Sequence, residues 1–281
     1  MQNSDLIGRL VQEMQFRNYS ERTIVTYSRL LANVEKYFHL PLDGISADQL
    51  KSYLHQRIIN QEVSISGINQ TISAFKVLQV DILGRSWERI NIKRPRRLKK
   101  LPVVLSLGEM LQLIEATPNI KHKAILMLSY SAGLRRSEAQ QILPTAIDSK
   151  RMMVHVVQGK GKKDRYTILS QKTLEMLRLH YKLHRPVHFL FEAQGKKGKY
   201  LSVQTLNTIV KDCAAKAGIN KRVSFHTLRH SFATHLLEQG VNIRLIQQFL
   251  GHTSLKTTAG YLHLVNIQPS GIKSPLDLMS L

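Results

Sequence analysis

The sequence predicts a mainly α-helical protein with two domains, the second of which carries a small β hairpin or sheet. The length of 281 residues suits one large domain or two ordinary ones, and 43 % apolar residues provide enough material for a core. Apolar side chains recur at helical spacing along much of the chain, whereas strand-like segments flank one glycine-bearing turn. These patterns predict a helical bundle followed by a larger, mostly helical domain.

The first predicted domain, residues 1–92, contains helices with recognisable amino-terminal caps. Ser20 and Ser46 each stand directly before a segment with apolar residues at helical spacing, and serine hydroxyls accept hydrogen bonds from the first free amides of a helix. No constellation of catalytic side chains is evident in this domain. The predicted helices span residues 21–38, 47–58 and 65–83.

A basic segment, residues 93–103, separates the two domains. Pro95 and Pro102 oppose a helix, and its six cations repel one another, which predicts an extended linker. One interpretation is a solvated tether, and the other, which the charge of the whole chain favours, is a segment that contacts a phosphate backbone. The six cations are Lys93, Arg94, Arg96, Arg97, Lys99 and Lys100.

The second domain, residues 104–264, opens with a capping box formed by Ser106 and Glu109. The long segment that follows is almost wholly apolar in its middle, which predicts a buried helix. Further on, two strand-like runs surround a turn with two glycines. In chain order the predicted elements are helices within 107–116 and 121–143, two strands within 152–170, and helices from about Gln171 to the end of the domain.

The charge of the chain indicates a polyanionic partner. Lys and Arg number 41 against 19 Asp and Glu, so the net charge is +22 and the isoelectric point is about 10.2. Residues 1–100 carry +7 and residues 101–281 carry +15, so both domains are basic. Such a surplus opposes compaction unless a polyanion offsets it. Nucleic acid is the first candidate, and an anionic membrane surface, which would require a basic amphipathic helix, is the second.

Several classes of protein are excluded. The single Cys213, inside a predicted helix, rules out a disulfide framework and a zinc site built from several thiolates, and fits a small buried residue in a reducing compartment. The start of the chain has no apolar signal segment, and the uncharged stretch 124–134 is too short to span a membrane. We therefore expect a soluble cytoplasmic protein of bacterial type, associated with the nucleoid.

Two segments of the second domain present candidate cations. In GLRRSE, residues 133–138, Arg135 follows the buried helix, and its planar guanidinium matches two phosphate oxygens. A helix-end arginine bound to terminal carbonyls is the plain alternative. In GKGKKDR, residues 159–165, Lys160 lies between two glycines, where it can approach a ligand and deliver a proton or simply belong to a solvated basic turn.

A third segment, residues 226–240, predicts a helix with an unusual distribution of charge. On a helical wheel, His226, Arg229 and His230 fall with the apolar residues, and charged residues are rarely buried without a partner or a function. A metal site on His226 and His230 is disfavoured because the sequence offers no evident carboxylate or thiolate ligand. The opposite, polar face holds Thr227, Ser231, Thr234, His235 and Glu238.

The fourth segment, residues 250–263, predicts a joint between two helices. Gly251 ends the first helix, Thr253 or Ser254 caps the second, and His252 lies between them. Tyr261 follows, and alone it is interpreted as a packed aromatic residue. Gly260 lowers helix stability directly before it. Taken together, two Arg, one Lys, two His and one Tyr are what a phosphodiester transesterification without metal requires.

The four segments GLRRSE, GKGKKDR, HTLRHSFATHLL and LGHTSLKTTAGYLH resemble, in order and rough spacing, those of the tyrosine recombinases, also called the phage integrase family. The resemblance covers about residues 102–264, and residues 1–92 more weakly resemble the family's helical core-binding domain. Four segments in order, with HxxR and LGH…Y intact, are highly specific. Gly260 departs from the family, which more often has a larger residue there.

The resemblance implies that Arg135 and Arg229 clamp a scissile phosphate, and that Tyr261 attacks it to form a 3′-phosphotyrosyl bond. It implies a homo-tetramer on double-stranded DNA that exchanges strands through a four-way junction, with the tail 265–281 contacting a neighbouring subunit. No metal or nucleotide is needed. The other implied roles are protonation of the leaving 5′ oxygen by Lys160, acid–base transfer by His226, a phosphate hydrogen bond from His252 and structural support from Glu138.

Two alternatives use the same scaffold. One is a DNA-binding protein whose catalysis is weakened, for which Gly260 is the argument. The other is a monomeric topoisomerase that relaxes DNA by the same chemistry. Both differ from a recombinase in the products that they leave on DNA.

Overall fold

The computed structural model describes residues 5–87, 93–95, 101–157 and 164–264. The chain divides into two compact units, residues 1–99 and 100–281. Both units are mainly helical, as the sequence predicts, and the β structure lies in the second unit.

The first unit is a helical bundle. Ser20 and Ser46 cap their helices as predicted, each accepting a hydrogen bond from the amide three residues later. The predicted helix 65–83 is α-helical only to Lys76 and continues as a π-helical turn over Val77–Ile82. The first helix of the chain was not predicted from the sequence. The helices are α1 (Leu6–Phe16), α2 (Glu21–Phe38), α3 (Ala47–Ile59) and α4 (Ile65–Lys76).

The second unit begins with the predicted capping box, in which Ser106 and Glu109 exchange side-chain hydrogen bonds with the first turn. Eight helices are described in this unit. Buried apolar residues of the sixth and seventh form a smaller cluster with Tyr261, whereas those of the first six form the main core. Cys213 contributes to that core, as predicted. The helices are α5 (Leu107–Glu115), α6 (Ile120–Ser131), α7 (Arg136–Gln141), α8 (Gln171–His184), α9 (Val203–Lys216), α10 (Phe225–Glu238), α11 (Ile243–Leu250) and α12 (Leu255–Ala259).

The predicted strands within 152–170 form part of a three-stranded antiparallel sheet. Its strands are β1 (Ile147–Asp148), β2 (Met153–Val156) and β3 (Arg165–Ile168), in the order β1-β2-β3. In the register of β2 and β3, Val156 pairs with Arg165. Residues 158–163, which contain the predicted glycine turn, lie outside the described residues.

Two predictions about the second unit were wrong. The segment 121–143 is not one helix, because Gly133 adopts a left-handed conformation with φ +58° and separates α6 from α7. The chain after Gln171 is not wholly helical either, since β4 (Glu192–Ala193) and β5 (Lys196–Tyr200) form a second hairpin. Gly195, in the two-residue turn between them, has a positive φ of +69°, which permits the tight reversal.

Helix α10 is buried over most of its length, whereas His226 and Glu238 near its two ends are exposed. Thr227, Ser231 and Thr234, on the predicted polar face, are as buried as its apolar residues. Ser231 uses its hydroxyl to accept a hydrogen bond from the amide of Leu105.

Among the helices that the structure describes, none is long and apolar enough to cross a membrane.

Candidate active site

A glycine turn between α6 and α7 positions Arg135. A Cβ atom on Gly133 would lie 2.4 Å from the ring of Phe232 on α10, so this turn packs tightly against the helix that carries Arg229. Arg135 occupies the amino-terminal cap position of α7, and its backbone amide donates to Glu138 Oε2 at 2.7 Å. The turn thus brings an arginine and a glutamate to the same point.

Glu138 is the centre of a cluster of charged side chains. Its carboxylate accepts two parallel hydrogen bonds from Arg165 on β3, both of 2.6 Å, and one from Arg135 Nη1 at 2.7 Å. Burial disfavours the ionised carboxylate, but the hydrogen bonds and charge of Arg165, with those of Arg135, lower the pKa of Glu138 to about 2. Glu138 is therefore ionised at neutral pH and fixes both guanidinium groups.

The carboxyl end of α11 holds the same arginines from the other side. The last carbonyl groups of a helix have no partner within it and carry partial negative charge. Here three consecutive carbonyl groups accept hydrogen bonds from three arginines. Arg165 Nε donates to Phe249 O at 2.8 Å, Arg229 Nη2 to Leu250 O at 2.5 Å and Arg135 Nη2 to Gly251 O at 2.9 Å.

Arg229 is the most deeply buried of these cations, with 3 % of its surface exposed. Its second hydrogen bond goes to Gly133 O at 2.6 Å, and its Nη1 lies 3.9 Å from Glu138 Oε2. Burial and the nearby charge of Arg135 lower the pKa of Arg229 to about 9, so it remains protonated at neutral pH. Three guanidinium groups and one carboxylate leave two positive charges in the cluster, which suits an anionic ligand.

The geometry of Arg135 bears on both of its predicted interpretations, the binding of terminal carbonyls and the binding of a phosphate. It does bind terminal carbonyls, but those of α11 rather than of its own helix. A cavity of about 800 Å³ opens beside Arg135, Arg165, Gly251 and His252. Its lining includes two of the three arginines but neither Arg229 nor Tyr261, so the cavity adjoins the arginine cluster and does not reach the tyrosine.

Tyr261 lies at the edge of this charged cluster. Its residue is 6 % exposed, and its hydroxyl is 3.0 Å from Nδ1 of His230 on α10. Burial raises the pKa of Tyr261, whereas the positive charges of Arg229 and Arg135 oppose that rise. The tyrosine is thus protonated at rest and lies within the electrostatic influence of both arginines.

The predicted histidines take different positions. His252 lies between α11 and α12, as predicted, with its ring stacked on Tyr261 at 6.4 Å and its Nδ1 2.9 Å from Thr258 Oγ1. His226 lies at the exposed start of α10, and its ring centroid is 6.3 Å from that of His230. Partial burial and the nearby charges of Arg136 and Arg229 lower the pKa of His226. Within the described ranges, no three His, Cys, Asp or Glu side chains are grouped for a metal ion.

The structure describes only some of the cations predicted in the glycine turn and in the linker. Lys160 lies outside the described residues. Beside its turn, His155 Nε2 lies 3.3 Å from Asp164 Oδ2. Of the linker cations, Lys93 and Arg94 are described, and Arg94 donates hydrogen bonds to Asn69 O and Ser73 Oγ in the first unit. The other four, Arg96, Arg97, Lys99 and Lys100, also lie outside the described residues.

Arg165 and His230 contribute to this site although neither had a predicted catalytic role. A signal for Arg165 exists, because side chains alternate along β3 and place Arg165 and Thr167 inward and Tyr166 outward. His230 stood out on the helical wheel only as a candidate metal ligand. Its partner, Tyr261, is 31 residues away in the chain, so sequence spacing alone does not reveal the contact.

Comparison with known proteins identifies the family. Residues 104–266 match the phage integrase family, and residues 6–89 match the N-terminal SAM-like domain of phage integrases. The chain therefore belongs to the phage integrase family of tyrosine recombinases.

Individual relatives agree with this assignment. The tyrosine recombinase XerA of Pyrococcus horikoshii is 34% identical over 262 residues, which cover 92% of this chain and 89% of that protein. The tyrosine recombinase XerD of Staphylococcus saprophyticus is 33% identical over 273 residues, which cover 90% of this chain and 91% of that one. A crystal structure of a lambda integrase tetramer bound to a Holliday junction shares the fold, with a TM-score of 0.68, 16% identity, and coverage of 92% of this chain and 78% of that one.

Proposed function

We propose that this tyrosine recombinase cleaves and rejoins double-stranded DNA at specific sites through a 3′-phosphotyrosyl intermediate on Tyr261. The observation that carries the proposal is the excess of positive charge beside a buried tyrosine hydroxyl. Arg135, Arg165 and Arg229 surround one carboxylate, Glu138, and the charges of Arg135 and Arg229 act on Tyr261. A phosphodiester would offset that excess and place its phosphorus near the nucleophile.

In this mechanism, Arg135 and Arg229 bind the non-bridging oxygens of the scissile phosphate. A guanidinium has five N–H groups, and Arg229 uses two of them to bind Gly133 O and Leu250 O. Its remaining donors serve the phosphate. Because the protein already fixes both arginines, little reorganisation is needed when negative charge develops on the phosphorane.

The chemical step is a transesterification. The oxygen of Tyr261 bonds to phosphorus while the bond from phosphorus to the 5′ oxygen breaks. Lys160 protonates that leaving oxygen, His252 donates a hydrogen bond to the phosphate, and His226 takes part in acid–base transfer. The phosphotyrosyl bond conserves the energy of the phosphodiester, so a 5′ hydroxyl can reverse the reaction without a metal, a nucleotide or another cofactor.

The proposed assembly is a homo-tetramer on DNA in the cytoplasm, associated with the nucleoid. Residues 1–92 and 104–264 form DNA-binding and catalytic domains that grip the duplex, and the linker 93–103 follows its backbone. The positive charge of both halves of the chain and the shared fold of the lambda integrase tetramer support this proposal. The tail 265–281 contacts a neighbouring subunit during exchange through a four-way junction.

Covalent capture on DNA tests the proposal. Wild-type protein is incubated with supercoiled DNA that carries the protein's own flanking sequence, and protein–DNA adducts are resolved on a denaturing gel. Tyr261→Phe removes one oxygen and little volume, so we expect DNA affinity to persist and the adduct to vanish. Tyr200→Phe, at an exposed tyrosine of β5, is the matched control and should form the adduct.

Three outcomes would contradict the proposal. An adduct that survives in Tyr261→Phe and disappears in Tyr200→Phe would identify a different nucleophile. A wild-type protein that binds its DNA tightly and never forms an adduct would be a DNA-binding protein without strand-cleavage activity. Relaxation of the supercoiled DNA by the isolated monomer, with no recombinant product, would indicate a topoisomerase instead.

A further inference from the structure

We propose that His230 accepts the proton that Tyr261 loses during cleavage and returns it during rejoining. This inference rests on the proposed function, since it assigns a second group to the nucleophile. The family resemblance gives acid–base roles to His226 and Lys160 and a phosphate hydrogen bond to His252, and it leaves His230 without a role.

The geometry of α10 carries the inference. His230 follows Arg229 directly, so the residue that binds the phosphate and the residue that contacts the nucleophile project from adjacent positions of one helix. The distance of 3.0 Å from His230 Nδ1 to Tyr261 Oη is that of a direct hydrogen bond. A group within direct reach of the proton is the first requirement for a general base.

The protonation states are consistent with a hydroxyl that donates to the imidazole. Burial, followed by the charges of His226 and Arg229, lowers the pKa of His230 to about 4, so its imidazole is neutral at physiological pH. A neutral imidazole has one acceptor nitrogen, and Tyr261, whose pKa is raised by burial, retains its proton. The titratable groups that face this pair are His226, Arg229, Arg135 and, across the tyrosine ring, His252.

Substrate binding increases the basicity of His230. Arg229 disfavours the imidazolium, and a phosphate bound to Arg229 offsets that positive charge. The base is therefore weakest in the free protein and becomes stronger when the scissile phosphate is in place.

The step balances. In cleavage the bond between Tyr261 Oη and phosphorus forms, the bond to the 5′ oxygen breaks, and the tyrosine proton passes to Nδ1 of His230. The leaving oxygen takes its proton from a different acid, which is Lys160 in the proposed function. In rejoining, the 5′ hydroxyl attacks, the bond to Tyr261 breaks, and the imidazolium of His230 returns the proton to the tyrosine.

The tautomer of His230 in the wild-type protein tests the inference without measuring activity. Nitrogen NMR of protein labelled with ¹⁵N-histidine distinguishes the two ring nitrogens, and the spectrum of His230→Asn identifies the signals of His230. We expect an unprotonated Nδ1 and a protonated Nε2 at neutral pH. A proton on Nδ1 would overturn the inference, because that nitrogen would then donate to Tyr261.

A kinetic test isolates the nucleophile. DNA with sulfur at the bridging 5′ position releases a thiolate that needs little protonation, so cleavage of this substrate does not depend on the leaving-group acid. Asparagine at position 230 can accept a hydrogen bond from Tyr261 but cannot hold its proton, and phenylalanine can do neither. We expect His230→Asn and His230→Phe both to slow cleavage by about 10²–10⁴-fold, the usual range for general acid–base catalysis.

Cleavage by His230→Asn at the wild-type rate would overturn the inference and leave His230 a positioning residue. Thermal melting and DNA affinity establish that the variants are folded, and the tautomer measurement stands if they are not. Tyr261→Phe in the same assay separates the two proposals. If that variant still forms an adduct, the proposed function is wrong, whereas loss of its adduct with a fully active His230→Asn rejects only the role of His230.

Discussion

The side of the site that carries the arginines and the side that carries the tyrosine are held in different ways. Arg135, Arg165 and Arg229 are each bound to the carboxyl end of α11, and Glu138 links two of them through short hydrogen bonds. Tyr261, by contrast, follows the five-residue helix α12 and its hydroxyl is held by His230. The phosphate-binding charges are thus fixed before substrate arrives, whereas the position of the nucleophile depends on fewer contacts.

The pKa values on the two sides of the site are also shifted in opposite directions. Hydrogen bonds from Arg165 and Arg135 overcome burial and lower the pKa of Glu138, while burial raises the pKa of Tyr261. The arginine side is therefore stabilised in its charged form and the tyrosine side in its neutral form. Activation must come from a change at the tyrosine, which is where a proton acceptor and a bound phosphate act.

The largest effect is expected on the rate of cleavage, and it is tested by comparing Lys160→Ala with Arg135→Ala. A 5′ alkoxide departs poorly unless protonated, so loss of Lys160 should slow cleavage by about 10²–10⁴-fold. Sulfur at the bridging 5′ position should restore the Lys160→Ala rate almost to that of the wild type. Arg135→Ala should show no such rescue, because its task is to stabilise charge on the non-bridging oxygens.

The comparison of the two substrates is measured as single-turnover adduct formation. Equal rescue of both variants would mean that Arg135 also acts on the leaving group, so that the arginine side is not purely electrostatic. Failure of sulfur to rescue Lys160→Ala would return Lys160 to an ordinary phosphate contact on a basic turn.

Glu138→Gln tests whether the arginine side is held by its carboxylate. The difference between the ordinary pKa of 4.5 and the value of about 2 corresponds to about 3 kcal/mol of folding stability. Denaturant titration at pH 7 should show a loss of that order. Asp48→Asn, which removes an exposed ion pair with Lys51, is the matched control and should change stability by less than about 1 kcal/mol.

The stability that Glu138 contributes should also depend on pH. The folded pKa of Glu138 lies below its unfolded value, so its contribution is complete above pH 4.5 and is lost as the pH falls toward 2. The stability gap between the wild type and Glu138→Gln should therefore narrow over that interval. A gap that stays constant from pH 6 to pH 3 would show that the carboxylate does not hold the cluster through its charge.

The smallest effect is expected on stability, when one glycine on each side of the site is replaced: Gly251 on the arginine side and Gly260 on the tyrosine side. A Cβ atom on Gly251, whose φ is +59°, would lie 2.6 Å from Arg165 Cδ, so Gly251→Ala should destabilise the protein by more than about 1 kcal/mol. Gly260 has φ −59°, and its Cβ would meet Thr257 O at an ordinary 3.5 Å. Gly260→Ala should therefore stabilise by about 0.4–1 kcal/mol.

Thermal denaturation of the two alanine variants provides the comparison. Equal destabilisation by both substitutions would mean that the tyrosine side is packed as tightly as the arginine side. The result also bears on the departure of Gly260 from the family, because the structure accommodates a larger residue there.

The elements that local patterns specify were predictable. The caps at Ser20, Ser46 and Ser106 begin helices as expected, and the apolar position of Arg229 on the helical wheel correctly indicated burial. The hairpin β4–β5 was missed because its second strand is exposed along its whole length and lacks an alternating apolar pattern.

Within the site, the residue types were predictable and their supports were not. The partners of the arginines include backbone carbonyls at the end of α11, and a carbonyl leaves no signal in a sequence. Arg165 and Glu138 are 27 residues apart on a strand and a helix, so only the folded chain brings them together. The contact of His230 with Tyr261 depends in the same way on the packing of α10 against the segment after α12.

The most direct test of this account is to locate the nucleotide on the captured protein. Adducts of the wild-type protein with the sulfur-containing DNA are digested with nuclease and protease, and the modified peptide is sequenced by mass spectrometry. We predict a nucleotide 3′-phosphate on the oxygen of Tyr261. A nucleotide on Tyr200, or on any other side chain, would contradict the account, because the arginine cluster would then not serve the tyrosine beside it.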